Sequence, residues 1–295
     1  MELYQLTKDT LGFFQPLRVL NDHTFKVQSI SISRNLLASS GGDDFINLYN
    51  LHSASRETCI QSEIYGTSFV SFTQDPHTIL TANSKGHEGI IRLIDFQEPE
   101  TVELYQFQSR VTSLELHPTS NYFLTTCERS LKLQSITEKN SFLKKEFGLP
   151  VVSNFDPSGT AIFVGSQTGI EMLDTRKLSD SIKISSHTEK PNHLEVSDDG
   201  KFLLSTGAFT RVLDAWNGQE VFNIPEKVAC FTPDSKFVCG VADKTVSMYD
   251  AQGNLVFQRE EDIERINCIV WSKDFALMAT ASTNILLWVP SLKTN

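Results

Sequence analysis

Few residues in this chain stand at spacings that suggest chemistry. His77 and His87 lie ten positions apart, and the run Gly86-His87-Glu88-Gly89 offers an imidazole beside a carboxylate. A zinc site of the HExxH kind needs a second histidine four residues on, and none is there. Cys230 and Cys239 are two thiols on what read as adjacent strands, a buried pair rather than a nucleophile. Asp43, Asp44 and Glu88 are the carboxylates nearest to an acid–base set. The chain has no GxxxxGK[ST] phosphate loop, no GxGxxG turn and no GxSxG elbow, so no cofactor, metal or catalytic residue is expected. That points away from an enzyme and toward a binding protein.

The elements that position these residues follow from composition and period. Of 295 residues, 26 are Lys or Arg and 36 Asp or Glu, a net charge of −10. That balance lacks the basic stripe of a protein that binds nucleic acid directly. Forty per cent of residues are apolar, enough for a core. No stretch reaches 18 uncharged apolar residues, so no membrane span is expected. The start, MELYQLTKDTLGFF, lacks the apolar core of a secretory signal. Cys59, Cys127, Cys230, Cys239 and Cys268 form no CxxC pair and read as buried thiols of a reducing compartment, cytosol or nucleus.

One layout recurs seven times: an apolar strand, a tight turn, and a second strand ending in small residues. Turn markers Asn35, Pro76, Pro118, Pro157, Asp198, Pro233 and Lys273 are spaced 41, 42, 39, 41, 35 and 40. Proline suits this position because it fixes φ where no ladder N–H is needed. Third strands end at Tyr49, Ile94, Leu133, Leu173, Leu213, Tyr249 and Trp288, spaced 45, 39, 40, 40, 36 and 39. No segment keeps a helical 3.6 period. Seven units of about forty residues, with room for a fourth strand each, predict an all-β, seven-bladed propeller of the WD-repeat type over residues 1–295.

Such a ring has no free edge only if its ends pair. The last unit runs out at Val289-Pro290, while Phe13–Leu20 is an orphan apolar segment upstream of the first. Residues 13–20 are therefore expected to supply the outer strand of the last blade.

WD repeats join a histidine, a serine, a turn aspartate and an aromatic residue in a buried hydrogen-bonded chain. His23, Ser39, Asp43 and Tyr49 fit that chain in the first unit, and Asp243 holds the aspartate position in the sixth. Elsewhere it decays: Glu88 and Glu128 are substitutes, Gln167 and Ser282 stand where aspartate would, and no Trp-Asp dipeptide remains. On a propeller the loops before each first strand and the turns after each second strand share one face. Tyr65, Arg110, Arg129, Phe209, Lys244 and Arg265 fall there and have the side chains that anchor interfaces. The charged run 259–265 otherwise reads as a solvated loop.

Several segments resemble one family: SSGGDDFINLYN (39–50), the Ile64-Tyr65-Gly66 turn before FVSFTQDPHTILTANSK (69–85), SNFDPSGTAIFVG (153–165), LEVSDDGKFLLST (194–206), RVLDAWNGQEV (211–221), ACFTPDSKFV (229–238) and ATASTNILLWVP (279–290). The sequence is similar to the WD-repeat subunit shared by the COMPASS (Set-one) histone methyltransferase and nuclear type-one phosphatase or 3′-end-processing assemblies, the Swd-two or WD-repeat protein eighty-two family. The resemblance implies a non-catalytic, monomeric scaffold in a multi-protein nuclear complex, near transcription termination and the phosphorylated C-terminal repeat of RNA polymerase II. Arg110, Arg129 and Arg265 are the candidates for reading that phosphate. The third unit, FQSRVTSLELHPTSNYFLTTCERSLKLQSI (107–136), lacks the family's Gly-His and Trp-Asp signatures. Alternatives are an adaptor of an unrelated complex, in ubiquitin ligation or trafficking, and, remotely, an enzyme at the channel mouth using Asp43, Asp44 and Glu88. Deleting residues 1–20 removes roughly five ladder hydrogen bonds at about 1 kcal/mol each. We expect a sharply lower melting temperature by calorimetry, with aggregation; an unchanged melt refutes end-to-end closure.

Overall fold

The computed structural model describes residues 6–97, 101–138, 141–186, 189–261 and 264–291. Among these, seven four-stranded antiparallel sheets stand around a ring as the blades of a propeller. Blade one is Val27–Ser33, Leu36–Gly41, Phe45–Asn50 and Ser55–Gln61. Blade two is Phe69–Phe72, Thr78–Ala82, Gly89–Asp95 and Thr101–Phe107, and blade three Val111–Leu116, Tyr122–Cys127, Ser130–Ser135 and Ser141–Glu146. Blade four comprises Val152–Phe155, Ala161–Ser166, Gly169–Asp174 and Lys177–Ser185. Blade five comprises His193–Val196, Phe202–Thr206, Thr210–Asp214 and Glu220–Ile224. Blade six is Val228–Phe231, Phe237–Ala242, Thr245–Asp250 and Leu255–Glu260. Blade seven takes Cys268–Trp271, Met278–Ala281 and Ile285–Pro290 from the end of the chain and Phe14–Leu20 from its beginning.

The first strand of every blade lines the axis and the fourth lies at the rim. Each sheet is too thin to bury apolar residues alone, so the core is divided among the seams between blades. Ala38, Ile46 and Leu48 of blade one meet Val70, Ile79 and Ile94 of blade two. Each other seam has an equivalent cluster. The second strands are buried on both faces, which explains their runs of small and apolar residues instead of alternation.

Closure follows the register Phe14↔Pro290, Gln15↔Val289, Pro16↔Trp288 and, past a bulge, Arg18↔Leu287 to Leu20↔Ile285. The bulge ejects Leu17, which is 66% exposed. Pro16 is tolerated because a rim strand has one unpaired side. On the axis, the Val27 N–H donates to the Ser282 carbonyl at 2.7 Å, joining first and last blades a second time.

The chain before Phe14 extends this closure. Thr7 and Thr10 form a reciprocal cap on the short helix Lys8–Leu11. Leu6, Leu11 and Phe14 pack into the seam between blades six and seven with Val246, Met248 and Trp271. The Phe14 and Trp271 rings lie 5.3 Å apart. Lys8 Nζ donates to Asp250 at 2.6 Å. The thiols need two corrections. Cys127, Cys230 and Cys239 are buried, but Cys268 is only half-buried, on the axial strand of blade seven, and Cys59 is exposed on the rim strand of blade one.

Burial alone would raise the Asp250 carboxyl, but bonds from Lys8, Asn254 and Gln252 outweigh it and hold it down at about 2. A pKa lowered by folding stabilises the native state above the ordinary value of 3.8, and that stabilisation fades as pH falls toward about 2. We expect Asp250→Asn to melt below the wild type at pH 7 and the gap to close across that interval in a pH-resolved thermal scan. A gap independent of pH shows that the carboxylate charge is not what holds the N-terminal helix.

Candidate functional site

The polar chain of blade one runs from the loop before the axial strand to the middle of the sheet. His23 Nδ1 donates to Asp43 Oδ1 at 3.0 Å, and Ser39 Oγ lies 2.7 Å from Nε2. Asp43 also accepts from the Thr24 and Phe45 N–H groups, at 2.8 and 3.3 Å. Burial tends to raise its carboxyl, yet these bonds and the imidazole leave it below the usual value. The chain then turns where the sequence did not point. Asn47, directly across from Ser39, donates its amide to His23 Nε2 at 3.1 Å. Tyr49 is fully buried, but its hydroxyl completes no hydrogen bond, so the phenol packs rather than links.

Asp243 is a second correction. It sits in the turn of blade six with φ 49° and is exposed, its carboxylate 3.7 Å from Arg265. Blade six has no histidine for it to hold. Its buried polar pair is instead Glu226, 3% exposed, which accepts from the Tyr249 hydroxyl at 2.8 Å. Gly240 occupies the register position of Ser39, and a Cβ there would lie 2.9 Å from the Glu226 side chain. The missing side chain makes room for the carboxyl. In blade seven, Trp288 Nε1 donates to Thr280 Oγ1 at 2.9 Å, a link without histidine or aspartate. In blade two, Arg92 occupies this place and donates to Ser62 Oγ at 2.8 Å and the Gly66 carbonyl at 3.1 Å. The available signal was positional, since these residues stand at matching ladder steps, but reading it requires the register.

The residues first considered for chemistry are kept apart. Asp43 is engaged by His23, Asp44 pairs with Lys85 at 2.5 Å, and Glu88 accepts from Gln106. His77 and His87 lie at opposite ends of the strand Thr78–Ala82. Cys230 and Cys239 are direct cross-strand partners, and burial raises both thiols far above their ordinary value. Among the described residues, no three of His, Cys, Asp and Glu come together as metal ligands.

The axial channel, about 870 Å³, is lined by the first strands of all the blades. Enclosure raises Glu115 and Glu195 to about 8 and lowers His193 to about 4. Glu195 also accepts from the Phe231 N–H at 3.3 Å, which draws it partly back. Lys273 pairs with Asp198 at 2.8 Å in the same lining.

The six candidate interface residues all fall on one end of the ring, because the start of an axial strand and the second hairpin turn share an end of an antiparallel sheet. They do not form one cluster. Tyr65 leads into blade two, Arg110 and Arg129 flank blade three, Phe209 and Lys244 sit in the turns of blades five and six, and Arg265 leads into blade seven. The Tyr65 ring lies 4.6 Å from the Arg92 guanidinium, and Phe209 lies under that of Arg211 at 4.2 Å. Arg110 Nε donates to the Gly86 carbonyl at 2.8 Å. Arg129 and Lys244 are exposed. Sequence reasoning missed Phe25 and Ile64 on the same face, 63% and 81% exposed.

Comparison with known proteins agrees with this architecture. The model of the WD domain, G-beta repeat, matches residues 14–50. Over 96% of its length the chain is 26% identical to "Set1 complex component swd2" of Schizosaccharomyces pombe, covering 85% of that protein. It is 25% identical over 97% of its length to "WD repeat-containing protein 82" of Drosophila melanogaster, covering 98% of it. Against "COMPASS component SWD2" of Saccharomyces cerevisiae, identity is 24% over 72% of each chain. Along most of its length the chain is thus similar to proteins named Swd2 and WD repeat-containing protein 82. The propeller keeps a full third blade despite its divergent sequence, with Thr125 Oγ1 donating to Gln134 Oε1 at 2.9 Å inside it.

Replacing His23 by leucine strips a buried carboxylate of its side-chain donor, a loss of about 1.5–3 kcal/mol for a hydrogen bond to a charged group. Urea denaturation should show that loss for His23→Leu and none for Asp243→Asn, whose side chain is exposed. Equal effects at the two positions contradict this division.

Proposed function

We propose that this chain is a non-catalytic scaffold subunit of a Set1-type histone methyltransferase complex in the nucleus, and that residues 1–295 act as one rigid propeller on which a segment of a larger subunit folds. The observation that carries this is the similarity over 96% of the chain to a protein named as a Set1 complex component, and over 72% to one named as a COMPASS component. The dispersal of the chemistry-bearing side chains, each engaged by its own neighbour, supports a role of shape over reactivity. A disc with its edges paired holds its loops still without help, and preorganised loops cost less entropy when a partner binds.

Within this reading, the partner face is the end of the ring carrying Tyr65, Arg110, Arg129, Phe209, Lys244 and Arg265. Sharing of the subunit with a type-one phosphatase complex in transcription termination and mRNA 3′-end processing, and contact with the phosphorylated C-terminal repeat of RNA polymerase II, are part of the same proposal. Arginine forks on that face suit phosphate, which accepts two parallel N–H bonds.

Affinity purification from the native cell with mass spectrometry should recover the methyltransferase subunit. Recovery of cullins or coat proteins in its place refutes the assignment. Alanine at an anchoring position such as Phe209 is expected to weaken partner capture by roughly 30-fold, the effect of losing about 2 kcal/mol at a hot spot. Titration with phosphorylated and unmodified repeat peptides tests phosphate reading; equal binding of the two removes it.

A further inference from the structure

Arg92 is the one buried cation among the described residues that lacks an anion. It lies on the third strand of blade two and is 3% exposed. Its Nη2 reaches only neutral oxygens, the Ser62 hydroxyl and the Gly66 carbonyl, and its Nε is buried with no hydrogen-bond partner. The Thr81 hydroxyl, on the residue directly across the ladder, is also buried and unpaired, as is that of Thr67, next to Gly66 in the chain. Three unmet polar groups meet at this corner, and what sets it apart is that one belongs to a buried charge, which is costlier to leave unpaired than a neutral group.

The carboxylate that ought to neutralise Arg92 is present but turned elsewhere. Glu103 is its direct neighbour on the rim strand, yet it accepts the Tyr65 hydroxyl and makes no ion pair with the guanidinium. The half-exposed Tyr65 ring lies over the guanidinium and separates it from solvent on the face where Ile64 projects. Its loop is held in place from beneath. Lys85 Nζ donates to the Glu63 carbonyl at 2.8 Å and pairs with Asp44, and Gly66 takes φ 60°, a left-handed turn that a side chain would strain. The Tyr-Gly pair thus builds a cover with a fixed hinge, and the polar groups under it are two hydroxyls and the unfilled edge of a guanidinium.

We propose that this corner of blade two is an anion-recognition pocket: an acidic side chain of a bound protein segment, carboxylate or phosphate, swings Tyr65 aside and pairs with Arg92. Two oxygens of such a group match the Nε and Nη edge of the guanidinium, and the Thr67 and Thr81 hydroxyls can donate to what remains. Glu103 acts as the internal competitor, keeping Tyr65 closed until a better-placed anion arrives. The pocket deepens the reading of this face as a partner surface. The two fail separately, since complex membership is read by co-purification and the pocket by a defined peptide.

The test uses the intact chain and three fluorescein-labelled probes at low salt: hexaglutamate, a peptide of alternating glycine and phosphoserine, and hexaglutamine as the neutral control. At least one anionic peptide is expected to bind ten-fold or more tightly than hexaglutamine, and which one does so identifies the preferred anion. Arg92→Met should reduce that binding at least ten-fold, Glu103→Gln should increase it several-fold, and Lys183→Met, on the exposed rim strand of blade four, should leave it unchanged. Equal binding of all three peptides overturns the proposal, as does anion binding that survives in a folded Arg92→Met protein. If that variant does not fold, phenylglyoxal mapping of Tyr65→Ala decides, with the other arginines as internal references. Arg92 should then be modified about ten-fold faster than in the wild type and be protected by the anionic peptide. Absence of protection refutes the pocket.

Discussion

The fold depends on one backbone pairing, that between Phe14–Leu20 and Ile285–Pro290. Every other sheet is completed by residues close in sequence. The last is completed by residues more than 260 positions away, so the ring cannot close until both ends of the chain have been made. Without this strand, the edge of Ile285–Pro290 would present unpaired N–H and C=O groups beside Leu286, Leu287 and Trp288, an open template for a second chain. Leu6, Leu11 and Phe14 lead apolar bulk into the seam next door, and the Val27–Ser282 bond repeats the join at the axis. Closure is thus held at rim, seam and axis together.

Once the ring is closed, stability resides in the seams, and the polar chains inside blades become free to vary. Blade one uses His23, Asp43, Ser39 and Asn47; blade six Glu226 and Tyr249; blade seven Thr280 and Trp288. Each arrangement provides partners for polar groups that burial would otherwise penalise. That is why the repeat signature erodes without loss of the blade. A residue is kept for its ladder position and for what its neighbour leaves unsatisfied, and its type can change if the neighbour changes too, as Gly240 and Glu226 do. Blade two departs from this pattern, because Arg92 brings a buried cation where blades one, six and seven bring neutral pairs or a carboxylate with a donor.

This division of labour suits a binding protein. The loops at one end of the disc emerge from strands fixed on both sides, so they can carry Phe25, Ile64, Tyr65 and the arginines as a stiff surface. The axial channel does something different: its walls hold water away from Glu115 and Glu195 and raise both carboxyls.

The sequence alone determined the repeat, its count and the closing strand, because these follow from period, turn chemistry and the rule that a β-ring leaves no edge. The spacing of Pro76, Pro118, Pro157 and Pro233 is local information. So was the first blade's His23–Asp43 link, which lies within a twenty-residue span. What the tertiary structure decided are contacts between residues whose meeting depends on register and on neighbouring blades. Asn47 replaced Tyr49 as the end of the first chain because it stands directly across from Ser39. Asp243, alike in sequence to Asp43, is solvated because no histidine approaches it. Lys8–Leu11, a single helical turn with no period to detect, became a latch through Asp250 and Trp271. Arg92 reads in the sequence as an ordinary polar step of an alternating strand, and only the closed blade shows it buried, covered by Tyr65 and without a counterion. Strand order is written in short-range pattern; whether a polar side chain ends in water, in a pair or alone is settled by what the fold brings against it.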